Sequence, residues 1–139
     1  MNLQENINRI KEVMGLDDLE YTEPNSDLEW GEAERYIDHE DVNKRIGWTK
    51  KEWMDKIKDG KVIRYSDIPK LENVSDVSEF ESLLPEKIER FIKAISERKL
   101  EMPIVVKFPN NVYDLVAGNT RLIGALKSGY NPKIWLIEL

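Results

Sequence analysis

Four consecutive residues combine the side chains that a phosphate site requires: Gly118, Asn119, Thr120 and Arg121. They follow a strand-like apolar segment and open a helix-like one. Glycine lets a backbone approach a ligand closely, and the N–H groups of a first helical turn have no partner within the helix. A cation in that turn opposes the helix dipole by about 0.3 to 1 kcal/mol, a conflict that a bound phosphate reverses. The pattern therefore indicates an anion site at this junction.

The same four residues also admit a purely structural interpretation. Asn119 or Thr120 could be the N-cap of the helix, and Arg121 could pair with a nearby carboxylate such as Asp114. A Gly-x-x-Arg pattern is short, and taken alone it favours this second interpretation.

The elements around the junction form a strand, a turn, a strand, a helix and a last strand. Residues 103–108 and 112–117 read as two strands separated by Pro109-Asn110-Asn111, and Asn tolerates positive φ, so we expect a tight hairpin. The helix that follows should end near Gly129, and residues 133–138 should form the final strand.

Two helices are predicted before the hairpin. Pro85 suits the first turn of an amphipathic helix. Thr49 and Glu52 form a capping box for another, with Trp48 and Trp53 placed as a hydrophobic staple. The outer face of this helix is basic and consists of Lys50, Lys51, Lys56 and Lys58. It can be interpreted as a DNA-reading surface or as a solvated face.

The first part of the chain is acidic. Residues 1–41 carry three basic and 13 acidic residues, whereas residues 42–139 carry 18 basic and 14 acidic ones. We interpret residues 17–29 as a linker or surface loop and expect a helix within residues 31–46. An apolar stripe predicts an earlier helix that packs on the core or docks a protein partner. The stripe comprises Leu3, Ile7, Ile10 and Met14.

Composition excludes several classes of protein. A length of 139 residues with 40% apolar residues predicts one domain with a real core. No cysteine is present, so disulfides and thiolate chemistry are excluded. The net charge of −6 argues against bulk coating of nucleic acid. No run is apolar enough to span a membrane, and the first residues do not show the basic segment and apolar run of a secretory signal, so we expect the cytoplasm. The only histidine, His39, is a weak metal candidate.

The succession from Leu84 to Leu139 resembles the ParB/sulfiredoxin superfamily. The residues that carry the resemblance are an amphipathic helix, a Pro-Ile-Val-Val strand, and Tyr-Asp-Leu-Val-Ala-Gly-Asn-Thr-Arg-Leu-Ile-Gly-Ala-Leu before a final strand. The resemblance implies a small α+β fold with a mixed sheet and packed helices, which we assign to residues 61–139. The charge and helix patterns predict an acidic helical region before it, at residues 1–60. The resemblance also implies that Gly118, Asn119, Thr120 and Arg121 bind nucleotide phosphates, with ATP or CTP and Mg²⁺ as ligands.

Departures from the branches of the superfamily narrow the expected activity. Asn119 replaces the cysteine of sulfiredoxins, and Asn119 and Thr120 replace the Glu-Arg of partition proteins. Only 18 residues follow Arg121, so DNA-reading and dimerisation domains, and hence a sliding clamp, are not expected. Free-serine kinases have a histidine where Thr120 stands and a catalytic glutamate near the preceding helix, a place that only Glu81 or Glu86 could take.

The function implied by the resemblance is nucleotide binding, with catalysis left open. If the domain is an enzyme, it performs phosphoryl transfer or phosphodiester hydrolysis, and Asp114, Glu81 or Glu86 positions the metal ion or the nucleophile. Taken singly, each of these carboxylates is better explained as an ordinary solvated acid near a helix start or on a strand face. The alternatives are a non-catalytic interaction module and a ParB-like DNA nuclease. The resemblance implies a short ParB-like protein of the phage or plasmid type, which would act in the host cytoplasm if it is encoded by a phage.

Overall fold

A computed structural model describes residues 19–37 and 48–139 of the chain. Within these ranges, two 3₁₀ helices (Tyr65–Asp67 and Val77–Ser82) accompany four α-helices and seven strands. In chain order the helices and strands are β1 (Glu20–Thr22), α1 (Ser26–Ile37), α2 (Lys50–Ile57), β2 (Lys61–Arg64), β3 (Leu71–Glu72), α3 (Pro85–Glu97), β4 (Lys99–Glu101), β5 (Ile104–Lys107), β6 (Tyr113–Ala117), α4 (Asn119–Lys127) and β7 (Lys133–Glu138).

Five of the strands form a mixed sheet in the order β2-β7-β5-β6-β3. The predicted hairpin is confirmed: β5 and β6 pair antiparallel, and Asn111 in their turn has φ +63°. Helix α4 then carries the chain back across the sheet, so β7 joins β5 in parallel. The α+β fold with a mixed sheet, predicted from the sequence, is confirmed.

Helices cover both faces of this sheet because alternate strand residues point to opposite sides. On one face Ile104 and Val106 pack with Trp53 of α2. On the other face Val105 packs with Leu122 of α4. Trp53 is completely buried, so residues 48–57 contribute to the same core as the strands after residue 60. The division at residue 60 stays a prediction.

Two helix starts follow the rules that predicted them. Thr49 and Glu52 form both hydrogen bonds of the capping box of α2, and the rings of Trp48 and Trp53 lie 6.3 Å apart. Pro85 lies in the first turn of α3. In the part of the chain that the structure describes, no helix is long and apolar enough to cross a lipid bilayer.

The expectation that residues 17–29 form a linker or surface loop is wrong for its described part. Strand β1 pairs in parallel with β4, from Glu20 beside Lys99 to Thr22 beside Glu101. Backbone hydrogen bonds hold this pair of strands together. The strands therefore need no alternation of apolar and polar residues, which is the pattern that would have predicted them from the sequence.

Helix α1 starts inside the same acidic segment. The Asn25 side chain accepts a hydrogen bond from the Leu28 N–H at 3.2 Å, and Asp27 and Glu29 lie in the positive first turn. The acidity that suggested a loop thus stabilises a helix start. The stripe of Leu3, Ile7, Ile10 and Met14, and also His39, lie outside the described residues.

Candidate functional site: a cationic cleft at the start of helix α4

A cleft of about 500 Å³ opens between α3, β4 and the N-terminus of α4. All four residues of the predicted phosphate turn line it, from Gly118 to Arg121. Three more cations from other elements join Arg121: Lys87 and Arg90 from α3 and Lys99 from β4. None of these three cations was predicted as a site residue, although Lys87 and Arg90 lie three residues apart in the sequence and therefore share one face of a helix.

One carboxylate, Glu101, belongs to the lining. Its Oε1 accepts a hydrogen bond from the Asn25 backbone N–H at 2.5 Å, so it joins β4 to the start of α1. The described lining therefore holds four cationic side chains and one anionic side chain. Its net charge attracts an anion.

Gly118 gives the turn its shape. Its φ is +92°, it is the N-cap of α4, and its carbonyl accepts the Leu122 N–H at 2.9 Å. A Cβ at this position would lie 2.8 Å from Arg121 Nη2 and 2.9 Å from Pro103 Cα. Both the positive φ and the close approach require glycine. The interpretation of Asn119 or Thr120 as the N-cap is wrong.

Asn119 fails to cap the helix because its side chain binds a different segment. Its Oδ1 accepts the Ser75 N–H at 2.9 Å, and its Nδ2 donates to Ser75 Oγ at 3.0 Å. These bonds fix the loop before the second 3₁₀ helix against α4. The first N–H groups of α4, those of Asn119, Thr120 and Arg121, precede the intrahelical hydrogen bonds and so have no acceptor within the helix.

Arg121 is a partly buried cation of the cleft and forms an ion pair. Its Nη2 lies 2.8 Å from Oε1 of Glu29, and the two side chains are 24% and 8% exposed. Its Nε is buried and has no hydrogen-bond partner among the residues that the structure describes. The expected pairing of Arg121 with a local carboxylate such as Asp114 is therefore wrong, because the partner comes from α1. Only folding brings together two residues that lie 92 positions apart.

Asp114 lies inside the sheet and not in the cleft. It is completely buried on β6, where its Oδ1 accepts a hydrogen bond from Asn73 Nδ2 at 2.9 Å. Asn73 has φ +61° and directly follows β3. The Asp114 carboxylate therefore fixes the chain as it leaves the edge strand.

Glu81 and Glu86 also lie outside the lining of the cleft. Glu81 Oε1 accepts a hydrogen bond from Lys127 Nζ at 2.7 Å, and this bond lowers the pKa of the Glu81 carboxyl. Glu86 is an exposed residue in the first turn of α3. The catalytic roles of Asp114, Glu81 and Glu86 stay predictions, and the structure brings none of the three to the phosphate turn.

No protein-family model matches the chain, and comparisons with curated proteins and with solved structures also gave no match. The resemblance to the ParB/sulfiredoxin superfamily therefore stays a prediction. What the cleft can do follows from its own geometry. It presents to an anion four cationic side chains and the first turn of a helix, whose N–H groups have no acceptor within that helix, with apolar side chains beside them.

Proposed function

We propose that the cationic cleft binds the phosphates of a nucleotide. The observation that carries this proposal is the convergence of Arg121, Lys87, Arg90 and Lys99 on one cleft that also contains the first turn of a helix. Helical N–H groups and cationic side chains act together on the same anion, because both place positive charge where phosphate oxygens would lie.

The apolar part of the cleft favours a nucleotide over inorganic phosphate. Leu83, Leu84, Phe91 and Ala94 line it next to the cations. Leu84 is 55% exposed, so it offers apolar surface to a base or a ribose. The volume also lies within the range of small-molecule sites, about 300 to 1,000 Å³.

A Mg²⁺ ion would enter this cleft with the phosphates. Glu101 is the one carboxylate in the described lining, and the Thr120 hydroxyl is a second oxygen on its surface. Mg²⁺ commonly combines one or two protein oxygens with phosphate oxygens and water, so this donor set suits a phosphate-held ion. The ion would supply charge neutralisation. ATP or CTP as the nucleotide, DNA as a further partner, and a cytoplasmic location stay predictions.

Thermal unfolding with ATP, CTP, GTP and ADP, each with and without Mg²⁺, tests the proposal. The variants are Lys87→Ala in the cleft and Lys93→Ala on the same helix outside it, which remove the same charge. Ligand at 100 times its dissociation constant stabilises a fold by about 2.7 kcal/mol, which raises Tm by several degrees in a domain of this size.

We expect at least one nucleotide to stabilise the wild type and Lys93→Ala equally. Lys87→Ala should bind that nucleotide about tenfold more weakly, since a charge-assisted hydrogen bond contributes about 1.5 to 3 kcal/mol before the other cations compensate. Failure of every nucleotide to raise Tm would contradict the proposal. Equal losses in both variants would place the anion outside this cleft.

A further inference from the structure

Glu29 belongs to an acidic stretch of the described chain and forms an ion pair with Arg121 of the cleft. Residues 20–29 contain four acidic residues and no basic one. Two further contacts hold this segment near the cleft, from the Asn25 N–H to Glu101 and from Trp53 Nε1 to the Ser26 carbonyl at 2.8 Å. Docking of α1 therefore places the negative charge of Glu29 beside Arg121.

The ion pair between Glu29 and Arg121 differs from the other ion pairs of the described residues. The pair between Lys50 and Asp27 also involves α1, yet both of its side chains are more than half exposed. Exposed pairs contribute about 0 to 1 kcal/mol because water and salt screen them. The Glu29 carboxylate is shielded from water, so its effect on Arg121 is screened much less.

The pair leaves part of the guanidinium unsatisfied. Glu29 accepts from Nη2, while the buried Nε of Arg121 has no acceptor among the described residues. An unsatisfied buried donor costs about 1 to 3 kcal/mol, and a phosphate has three oxygens that can accept from more than one guanidinium N–H. In the docked state Arg121 therefore keeps one donor unsatisfied, and a movement of its side chain toward an anion in the cleft would remove this cost.

We infer that Glu29 competes with the anion for Arg121, so that it limits the affinity of the cleft and makes anion binding oppose the docking of α1. This inference rests on the proposed function. A phosphate that approaches Arg121 meets a guanidinium whose charge Glu29 already balances. Once the phosphate holds Arg121, the carboxylate of Glu29 is left buried beside a second anion, and the two repel each other.

Linkage makes the effect reciprocal. If docking of α1 weakens anion binding by some factor, anion binding weakens docking of α1 by the same factor. The cleft therefore responds to whatever holds or releases the acidic segment, and the acidic segment responds to whether the cleft is filled.

The test compares Glu29→Gln with Glu23→Gln in the full chain. Glutamine keeps an acceptor oxygen for Arg121 but removes the charge, and Glu23 is an exposed acid of the same segment that undergoes the same change. The ligands are inorganic pyrophosphate and ATP with Mg²⁺, and calorimetry measures their dissociation constants. We expect Glu29→Gln to bind both about tenfold more tightly than the wild type, and Glu23→Gln to change affinity by less than about twofold.

Three other results would overturn the inference. Equal tightening in both variants shows a general effect of net charge, and weaker binding in Glu29→Gln shows that Glu29 positions Arg121. Unchanged affinity in Glu29→Gln shows that the pair does not limit binding. In all three cases the wild type still binds, so the proposed function survives. Absence of binding in the wild type and both variants instead removes the proposed function, and the inference with it.

Hydrogen exchange on the wild type supplies a test that needs no substitution. Amides of residues 26–37 should exchange several-fold faster when pyrophosphate fills the cleft, and this acceleration should disappear in Glu29→Gln. Slower exchange in the filled wild type would show that the anion and α1 cooperate, which is the opposite of the inference.

Discussion

Glu29 and Asp114 are both buried carboxylates, yet they lie in different surroundings. Asp114 is enclosed in the sheet, where it accepts a hydrogen bond from the neutral amide of Asn73. Glu29 lies beside the cleft, where it accepts one from the guanidinium of Arg121. Burial is nearly the same, but one carboxylate ties two segments of the fold together and the other balances the charge of a cation that lines the cleft. The partner and the adjoining space, more than burial, indicate which carboxylate can influence binding.

The largest expected change in the free energy of unfolding comes from Asp114→Ala. Removing the carboxylate leaves the Asn73 amide without this acceptor and opens a cavity in the sheet, so we expect a loss of about 3 kcal/mol in unfolding free energy. Urea unfolding measures the loss, and Asp114→Asn, which keeps an acceptor oxygen, should lose less. Anion affinity of the folded variant should not change. A large loss of affinity with normal stability would make Asp114 a site residue and end the comparison.

Gly118→Ala should affect both stability and binding. A left-handed residue with a Cβ costs about 1 to 2 kcal/mol, and contact with the Pro103 backbone and Arg121 adds to this, for a total of about 2 kcal/mol. The variant should also bind pyrophosphate more weakly because Arg121 Nη2 must move. Gly31→Ala is the matched control: its Cβ meets nothing within 4 Å on α1, so helix propensity predicts a gain of up to about 1 kcal/mol. Equal effects at both glycines would contradict the geometry of the turn.

A double-mutant cycle separates the two carboxylates directly. Glu29→Gln combined with Arg121→Gln should show a coupling free energy of about 1 kcal/mol, because the residues are in contact and partly shielded from water. The same cycle with Asp114→Asn and Arg121→Gln should show less than about 0.5 kcal/mol. Unfolding in urea measures both cycles. A larger coupling for Asp114 would restore the pairing that the sequence suggested.

The smallest expected effect on stability comes from Glu81, because its carboxylate is exposed. The hydrogen bond from Lys127 holds the pKa of Glu81 below the usual glutamate value, so the folded protein binds this proton less readily than the unfolded chain does. The resulting stabilisation is present above the unfolded pKa and is lost as the pH falls through the lower folded pKa. An NMR titration of the carboxyl should show the lowered pKa, and Lys127→Met should return it to the ordinary range. An unshifted value in the wild type would contradict the contact.

Local patterns predicted much of the fold. The capping box of Thr49 and Glu52, the Asn-containing hairpin turn and the glycine before α4 all concern residues a few positions apart, and each is confirmed. The parallel pair of β1 and β4 could not be predicted in this way. Its hydrogen bonds are made by the backbone, and its partners lie more than 70 residues apart in the chain.

The same distinction between contacts close in the sequence and contacts far apart in it applies to the candidate site. Gly118 to Arg121 were predicted together and line one cleft together. The carboxylate that meets Arg121 was not predicted, because a glutamate in an acidic segment resembles its neighbours until α1 docks. Asp114 attracted attention because it lies close to the motif in the chain, but its strand directs it into the sheet.

Titration of the ¹⁵N-labelled chain with ATP and Mg²⁺, followed by amide NMR, tests the central claim most directly. If the cleft binds nucleotide phosphates, the largest shifts belong to the N–H groups of Asn119, Thr120 and Arg121, followed by those of the α3 residues around Lys87. Shifts centred on the basic face of α2, with the first turn of α4 unaffected, would contradict the claim, as would a spectrum that does not change at any nucleotide concentration.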